Sequence, residues 1–393
     1  MRKIYLTVLA CAFAGVISAQ QWRFERSELM TESGYFSIPD VPDGNYRVTV
    51  RIGAADRPGI TTIRGESRRL FFENVPTAPG QFADVTFTIN KRNTLIAPGE
   101  VVRIKPREKT KLNWDDALTF EFTGEAPQVA WMEVERVQEG VITMFLSGDS
   151  TIVDQDDDPW ASWGQMIPRF FDDRVAVANY AESGESANSF IGEQRLKKIM
   201  AEFKPGDYLF IEFGHNDMKQ TGEGKGPYLH YYESLKELAL AAREAGGYPV
   251  LLTPTQRRNF DENSKIVNTH EDYPDAMKKL AADENIPLID LHAMTKLFYE
   301  ALGVEGSKKS LVHYPANTFP GQTQPLADNT HFNPYGAYQI AKMVIEGMKT
   351  LDLPLIQYVR PDYQPYNPAQ PDDPDAFVWT LSKKIDLVKP DGN

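Results

Sequence analysis

The chain is predicted to fold as an α/β unit built on a parallel sheet, preceded by an all-β sandwich. Three observations carry that expectation. Between residue 20 and about 138, short alternating apolar runs are separated by turn-forming residues, with no helical period. Evenly spaced strands and turns are the signature of a sandwich. From about 139 onward, apolar strands alternate with amphipathic helical stretches, the pattern of a parallel sheet covered on both faces. Finally, 393 residues with 41% hydrophobic and 11% aromatic content suffice for more than one packed core.

The elements follow in order. "MRKIYLTVLACAFAGVISAQQ" opens with Arg2 and Lys3, runs apolar from Ile4 to Ile17 and ends in Ser18-Ala19-Gln20. This is the shape of a secretory signal peptide (1–19), too short for a membrane span. The mature protein is therefore expected to be exported, periplasmic or extracellular, with no membrane span. Ile17, third before the cut, is less usual there than a small residue. Cys11 is the only cysteine, so the mature chain can form no disulfide and relies on packed cores. "VLAC" could also serve as a lipoprotein acceptor, although the apolar run before Cys11 is very short for that role.

The β-sandwich region (20–138) should contain strands at 46–52, 83–89, 101–104, 118–122 and 129–137. The α/β region (139–355) should contain strands at 141–146, 175–180, 208–213, 249–253 and 286–291. Helical stretches are expected near 161–172, 188–202, 228–245 and 273–285. Beyond 355, "RPDYQPYNPAQPDDPD" is Pro- and Asp-rich and leads into the apolar "AFVWTL". Residues 356–393 therefore read as an extended strap whose last segment docks on a domain.

Charge narrows the partners. The net charge is −13, from 42 basic and 55 acidic residues, and removing Arg2 and Lys3 makes it −15. A nucleic-acid partner lacks its basic footprint. An acidic polymer would be repelled on average, so a local basic patch would have to receive it.

The chemistry-bearing residues lie where functional loops of a parallel sheet lie, after the C-terminal ends of strands. "GDST" (148–151) follows the first α/β strand and leaves Ser150 exposed where a helix should begin. "ESGES" (182–186) follows the second, and Gly184 could offer a backbone N–H to a ligand. "GHND" (214–217) follows the third, with Asn216 able to donate from its side-chain amide. Near the end, "DNTHFNPYGA" (328–337) places Asp328 three residues before His331, on a tight loop before a helix. Taken singly, each has a plainer reading: Ser150 as a helix cap, Gly184 as a turn glycine, His331 as a cap or core histidine. Together they form a coherent set. A serine hydroxyl is a poor nucleophile until a base takes its proton. Imidazole can do so near neutral pH, and a carboxylate on its other nitrogen fixes the tautomer. His215 reads as a packing histidine or a substrate contact, and its surroundings lack metal-ligand spacing.

The ordered blocks GDS, Gly, GxND and DxxH resemble those of the SGNH (GDSL-type) hydrolases, over residues from about 140 to 350. The resemblance implies a flavodoxin-like three-layer α/β/α fold. It implies Ser150 as nucleophile, His331 as general base and then acid, and Asp328 as its orienting partner. It also implies an oxyanion hole from the Ser150 and Gly184 N–H groups and the Asn216 side chain. "GDSTIVD…WASWGQMIPRFF", "NYAESGESANSF", "FGHND", "TPTQRRNF" and "DNTHFNPYGAYQIA" look like rhamnogalacturonan acetylesterases, carbohydrate esterase family 12. That family often has Arg after the second-block glycine. Here the residue is Glu185, which would disfavour a uronate close by. The first region resembles the jelly-roll, galactose-binding-like modules that accompany polysaccharide enzymes.

Arg257 and Arg258 follow the fourth strand, where they could receive a uronate carboxylate or form internal ion pairs. Trp163 and Trp160 could stack on sugar faces or pack in the core. "DQDDDPW" (154–160) reads as a solvated acidic loop, since Pro159 stands where a calcium loop needs Gly. The expected activity is removal of O-acetyl groups from an acetylated plant cell-wall polysaccharide, pectic rhamnogalacturonan first, with no metal or organic cofactor. Xylan or another acetylated glycan is an alternative substrate, a lipase or thioesterase a further one, and a non-catalytic carbohydrate-binding protein an alternative of another class. The sequence does not reveal the oligomeric state.

Overall fold

The computed structural model describes residues 20–391. The expected signal peptide and Cys11 lie outside them. A single nine-stranded sheet runs through the molecule. Its first four strands are Gln21–Glu25, Val129–Val137, Gly44–Gly53 and Phe82–Lys91, all antiparallel neighbours. Its last five are Val175–Asn179, Ile142–Gly148, Tyr208–Glu212, Tyr248–Leu252 and Leu288–Ile289, all parallel. The halves meet where Thr88 and Ile89 pair in parallel with Ala176 and Val177.

In chain order the five parallel strands are arranged 2-1-3-4-5, the flavodoxin-like order. The order reverses at the first strand, so the loops after the first and third strands flank one crevice. Helices cover both faces. On one side Trp163–Met166, Leu291–Gly306 and Pro334–Thr350 pack into a core with Met144, Phe210 and Leu252. On the other, Arg195–Glu202, Tyr232–Glu244 and Tyr273–Glu284 pack against Phe145, Leu209 and Leu251. Fully apolar strands suit such a doubly covered sheet. None of the described helices is long and apolar enough to cross a membrane.

The N-terminal region is β-rich. A second antiparallel sheet orders Tyr35–Ile38, Leu118–Thr123, Gly59–Gly65 and Arg69–Thr77. It encloses with the first a core of residues such as Val48, Phe71, Phe87 and Phe120, in which Phe71 and Phe87 stack at 4.1 Å. The alternation of Gly44–Gly53, buried at every second residue from Tyr46 to Ile52, places its apolar face on this core.

Several expected elements differ. The strand expected at 101–104 shrinks to Glu100–Val101. Strands at Gln21–Glu25, Tyr35–Ile38, Gly59–Gly65 and Arg69–Thr77 were not expected; "TTIRGESRRLFF" carries too many polar residues for its alternation to stand out. Asp328 and His331 lie not on a loop but in the strand Leu326–Phe332, paired with Leu311–Tyr314.

The acidic loop is not simply solvated. Asp154 and Asp158 are fully buried, Asp154 3.1 Å from Arg69 and Asp158 ion-paired with Arg68. Both arginines come from the β-rich region, more than eighty residues earlier. Buried charge persists only when paired and hydrogen-bonded. After Pro354–Tyr358 the chain runs extended, and Phe377 packs on Tyr335 and Tyr338 at 5.6 and 5.4 Å.

Candidate active site

Ser150 sits two residues past the end of Ile142–Gly148, at the reversal of strand order. Its carbonyl accepts from the Ser162 hydroxyl at 2.6 Å and the Gln155 amide at 3.1 Å, which pins the turn. Beneath it, Asp149 accepts from the Thr151 N–H at 3.0 Å and hydroxyl at 2.8 Å. His331 Nε2 lies 3.0 Å from Ser150 Oγ, and His331 Nδ1 lies 2.9 Å from Asp328 Oδ2.

Residues three apart on a regular strand face opposite ways. Here the Asp328 carboxylate accepts the N–H groups of Thr330 and His331 at 2.7 and 2.8 Å. This Asx-type turn brings carboxylate and imidazole to the same side. Burial alone would raise the Asp328 carboxyl. The His331 ring and these two amides instead hold it well below the usual carboxylate range, so it stays ionised beside the ring.

Gly184 adopts φ +78°, a left-handed conformation suited to glycine. Among the described residues, neither the Ser150 nor the Gly184 N–H donates to a protein acceptor. Asn216 Nδ2 donates one hydrogen to the Glu185 carbonyl at 2.9 Å and has a second to give. Serine, histidine, aspartate, glycine and asparagine from four distant segments thus converge on one crevice.

Other expectations fare differently. Ser150 was expected to be exposed, yet it and His331 are each only 1% exposed. The segment 384–391 crosses the crevice: Lys389 Nζ reaches Asp328 at 3.2 Å and the Asp391 Cβ lies against Gly184. Trp163 is no sugar platform; it is fully buried in the core and donates its indole N–H to Glu212 at 2.5 Å. Trp160 stands edge-on to the His331 ring at 5.8 Å and donates to the Asp386 carbonyl.

His215 is also fully buried, 3.3 Å from Asp149 and edge-on to His270; it contacts the interior, not a substrate. Burial pushes its imidazole down, toward the neutral form. Arg257 and Arg258 are partly exposed, but they make no ion pair among the described residues. Arg257 bonds the His215 carbonyl at 3.2 Å, and Arg258 bonds the Ser307 hydroxyl at 2.9 Å and Asn329 at 3.2 Å. They brace loops. Glu185 does not face the crevice: it is buried, ion-paired with Lys105 and hydrogen-bonded by Ser189.

Three features escaped sequence reasoning. Glu212 lies beside the Ser150 turn, bonded by Thr151 and Trp163. Lys389 approaches Asp328 from the tail. Arg107, from "KPREKTK" (105–111), donates to the Glu182 carboxylate at 3.0 Å and the Ser183 carbonyl at 2.5 Å, beside Gly184. The available signal for Arg107 was that cluster of four basic residues in an acidic chain. Among the described residues no group of three or more His, Cys, Asp or Glu side chains is arranged to hold a metal ion.

The GDSL-like Lipase/Acylhydrolase family matches residues 146–338, from the strand before Ser150 to the helix after His331. The chain is 46% identical to rhamnogalacturonan acetylesterase RhgT of Bacillus subtilis, over 54% of this chain and 92% of the relative. It is 35% identical to the probable rhamnogalacturonan acetylesterase YesY of the same organism, over 55% and 96%. The crystal structure of YxiM from Bacillus subtilis shares the fold at a TM-score of 0.50 and 22% identity, covering 81% of each chain. The order of the parallel strands, the convergence of the four loops and the extent of these matches lead to one conclusion: the chain belongs to the GDSL-like lipase/acylhydrolase family, with an SGNH hydrolase fold, and is a carboxylic ester hydrolase.

Proposed function

We propose that the protein is an exported carbohydrate esterase that removes O-acetyl groups from pectic rhamnogalacturonan through an acetyl-enzyme. The observation that carries the mechanism is the hydrogen-bonded chain Ser150–His331–Asp328. The substrate rests on the similarity to RhgT and YesY, and export on the charged, apolar opening of the sequence.

In this reading Ser150 Oγ attacks the acetyl carbonyl while His331 Nε2 takes its proton. Asp328 holds the ring in the required tautomer and stabilises the imidazolium. The oxyanion is received by the Ser150 and Gly184 amides and the free hydrogen of Asn216 Nδ2, donors worth about 3 kcal/mol each toward the transition state. His331 then protonates the departing sugar oxygen. It next deprotonates a water that releases acetate and restores Ser150. The β-rich region would serve as a jelly-roll, galactose-binding-like accessory that holds the glycan.

The test is acetate release near neutral pH from acetylated rhamnogalacturonan and, in parallel, from acetylated xylan. The wild type should act on the pectic polymer, and Ser150→Ala should lose about 10^4-fold or more. Release mainly from xylan would keep the mechanism and remove the pectin assignment. No release from either polymer or from a small acetyl ester would favour a glycan-binding protein.

A further inference from the structure

An acidic chain that acts on a polyanion needs a local receptor for negative charge. Four positions suggested from sequence do not supply it: Trp163 and His215 are interior, and Arg257 and Arg258 are held by protein oxygens. Arg107 lies on the other rim of the crevice, beside Glu182 and Ser183. Arg107 is carried by the short 3-10 helix Pro106–Thr110 of the β-rich region and is aimed at the loop that holds Gly184. Its Nε and Nη2 bond Glu182 at 3.2 and 3.0 Å, which fixes the plane of the guanidinium. Its Nη1 has a different partner, the carboxylate of Asp391 in the C-terminal segment.

The surrounding charges single out this nitrogen. Glu182 is buried and shared between Arg107 and Lys111, the latter at 3.1 Å. Lys111 also holds Asp156 at 3.2 Å. Glu185 is buried against Lys105. The fixed acids beside Gly184 are thus already paired, and Arg107 Nη1 is left for a carboxylate that arrives from outside this framework. Asp391 is such a group. Its side chain is 63% exposed, and its Cβ lies 3.1 Å from the position a Gly184 side chain would take. An exposed ion pair of this kind is weak and readily exchanged. A cavity of about 450 Å3 lies between this tail and the crevice wall, with room for a sugar ring. Asp156, Asp157 and Asp386 line it together with Lys111, Lys384 and Lys389. Lys111 is paired with Glu182 and Asp156 and Lys389 with Asp328, so Arg107 is the basic group whose partner is the exposed Asp391.

We propose that Arg107 forms a subsite for a uronate carboxylate beside the ester-binding crevice, and that Asp391 occupies it as an internal stand-in. The proposal rests on the esterase reading above for its biological substrate, yet it concerns a binding site that can be probed without turnover. A guanidinium held in plane by Glu182 presents its outer edge to a carboxylate. It would seat a uronate so that an acetyl on the same or the neighbouring sugar faces Ser150. Substrate binding then requires Asp391 to leave.

The experiment titrates trigalacturonate into the full chain by calorimetry, for wild type, Arg107→Gln and Asp391→Asn. Arg107→Gln should weaken binding at least ten-fold, whereas Asp391→Asn should tighten it several-fold by removing the competitor. In turnover, Arg107→Gln should raise KM for acetylated rhamnogalacturonan at least ten-fold more than for 4-nitrophenyl acetate, which has no carboxylate to bind. Asp391→Asn keeps the test meaningful if Arg107→Gln folds poorly. Unchanged binding in both variants would overturn the proposal, as would an equal change of KM on the two esters. Binding that depends on Arg107 without any deacetylation of the polymer would retain the subsite and reject the substrate reading instead.

Discussion

At the scale of single residues, the crevice is supported by a buried carboxyl the mechanism does not use. Glu212 accepts from Trp163 at 2.5 Å and Thr151 at 3.1 Å. Burial, and secondarily the charge of Asp149, pushes its carboxyl up to about 8. An unfolded glutamate releases its proton near ~4.3. Between these values the folded state binds the proton and the unfolded state does not, so stability falls as pH rises through the window. The group's contribution is at most about 1.4 kcal/mol per pH unit. Glu66, likewise buried and raised to about 8, acts in the same sense. We expect Glu212→Gln, which has no proton to lose, to flatten the loss of stability between pH 6 and 8. Urea unfolding at the two pH values measures it, and an unaltered slope would contradict the assignment. At this scale Ser150, Gly184, Asn216, Asp328 and His331 were legible in the sequence because each sits in a short local motif. Glu212, Lys389 and Arg107 were not, because what places them near the crevice is contact with residues far away in the chain.

At the scale of elements, the segment 154–160 ties three parts of the chain together. Asp158 pairs with Arg68, accepts the Trp379 indole N–H at 3.2 Å and the Ser382 N–H at 2.6 Å, and is fully buried. Removing one partner of a buried pair strands the other charge. Asp158→Ala should therefore cost about 3–5 kcal/mol of stability, read as a lower denaturation midpoint with the slope retained. A loss below about 1 kcal/mol would mean that water reaches Arg68. Strand positions in the α/β region followed from periodicity, with ends shifted by a residue or two. The helix expected at 188–202, however, is broken into Ala187–Gly192 and Arg195–Glu202 by the left-handed Gln194. The α-helix expected from 228 starts at Tyr232, and the one expected at 161–172 is α-helical only over Trp163–Met166. The helix Leu291–Gly306 went unrecognised because its start overlaps the apolar run 286–291, where a short strand and a helix start share one composition.

At the scale of the whole molecule, the β-rich region and the α/β layers share a sheet. Thr88 and Ile89 cover the edge of Val175–Asn179, and Arg69 and Arg92 bond the carbonyls of Val177 and Asn179. An uncovered apolar edge strand invites pairing with another chain. A fragment beginning at residue 139 is therefore expected to self-associate at concentrations where the longer chain does not. Size-exclusion chromatography decides this; a monomeric fragment with the same unfolding midpoint would show the shared sheet to be dispensable. The same fragment lacks Lys105, Arg107 and Lys111 and should lose affinity for uronates beyond any loss of stability. RhgT and YesY match about half of this chain.

Local physical chemistry was enough to read the class of the α/β region, the places of its candidate-site loops and the pairing of a histidine with a carboxylate three residues before it. Strand periodicity, turn chemistry and short-range spacing are properties of contiguous residues. The continuity of the sheet, the burial of Trp163 and His215, the arginine partners of Asp154 and Asp158, and the tail that reaches Asp328 and Gly184 were decided by tertiary structure. Each depends on which distant segments meet, and desolvated charges and shared sheet edges are satisfied only after the chain has closed on itself.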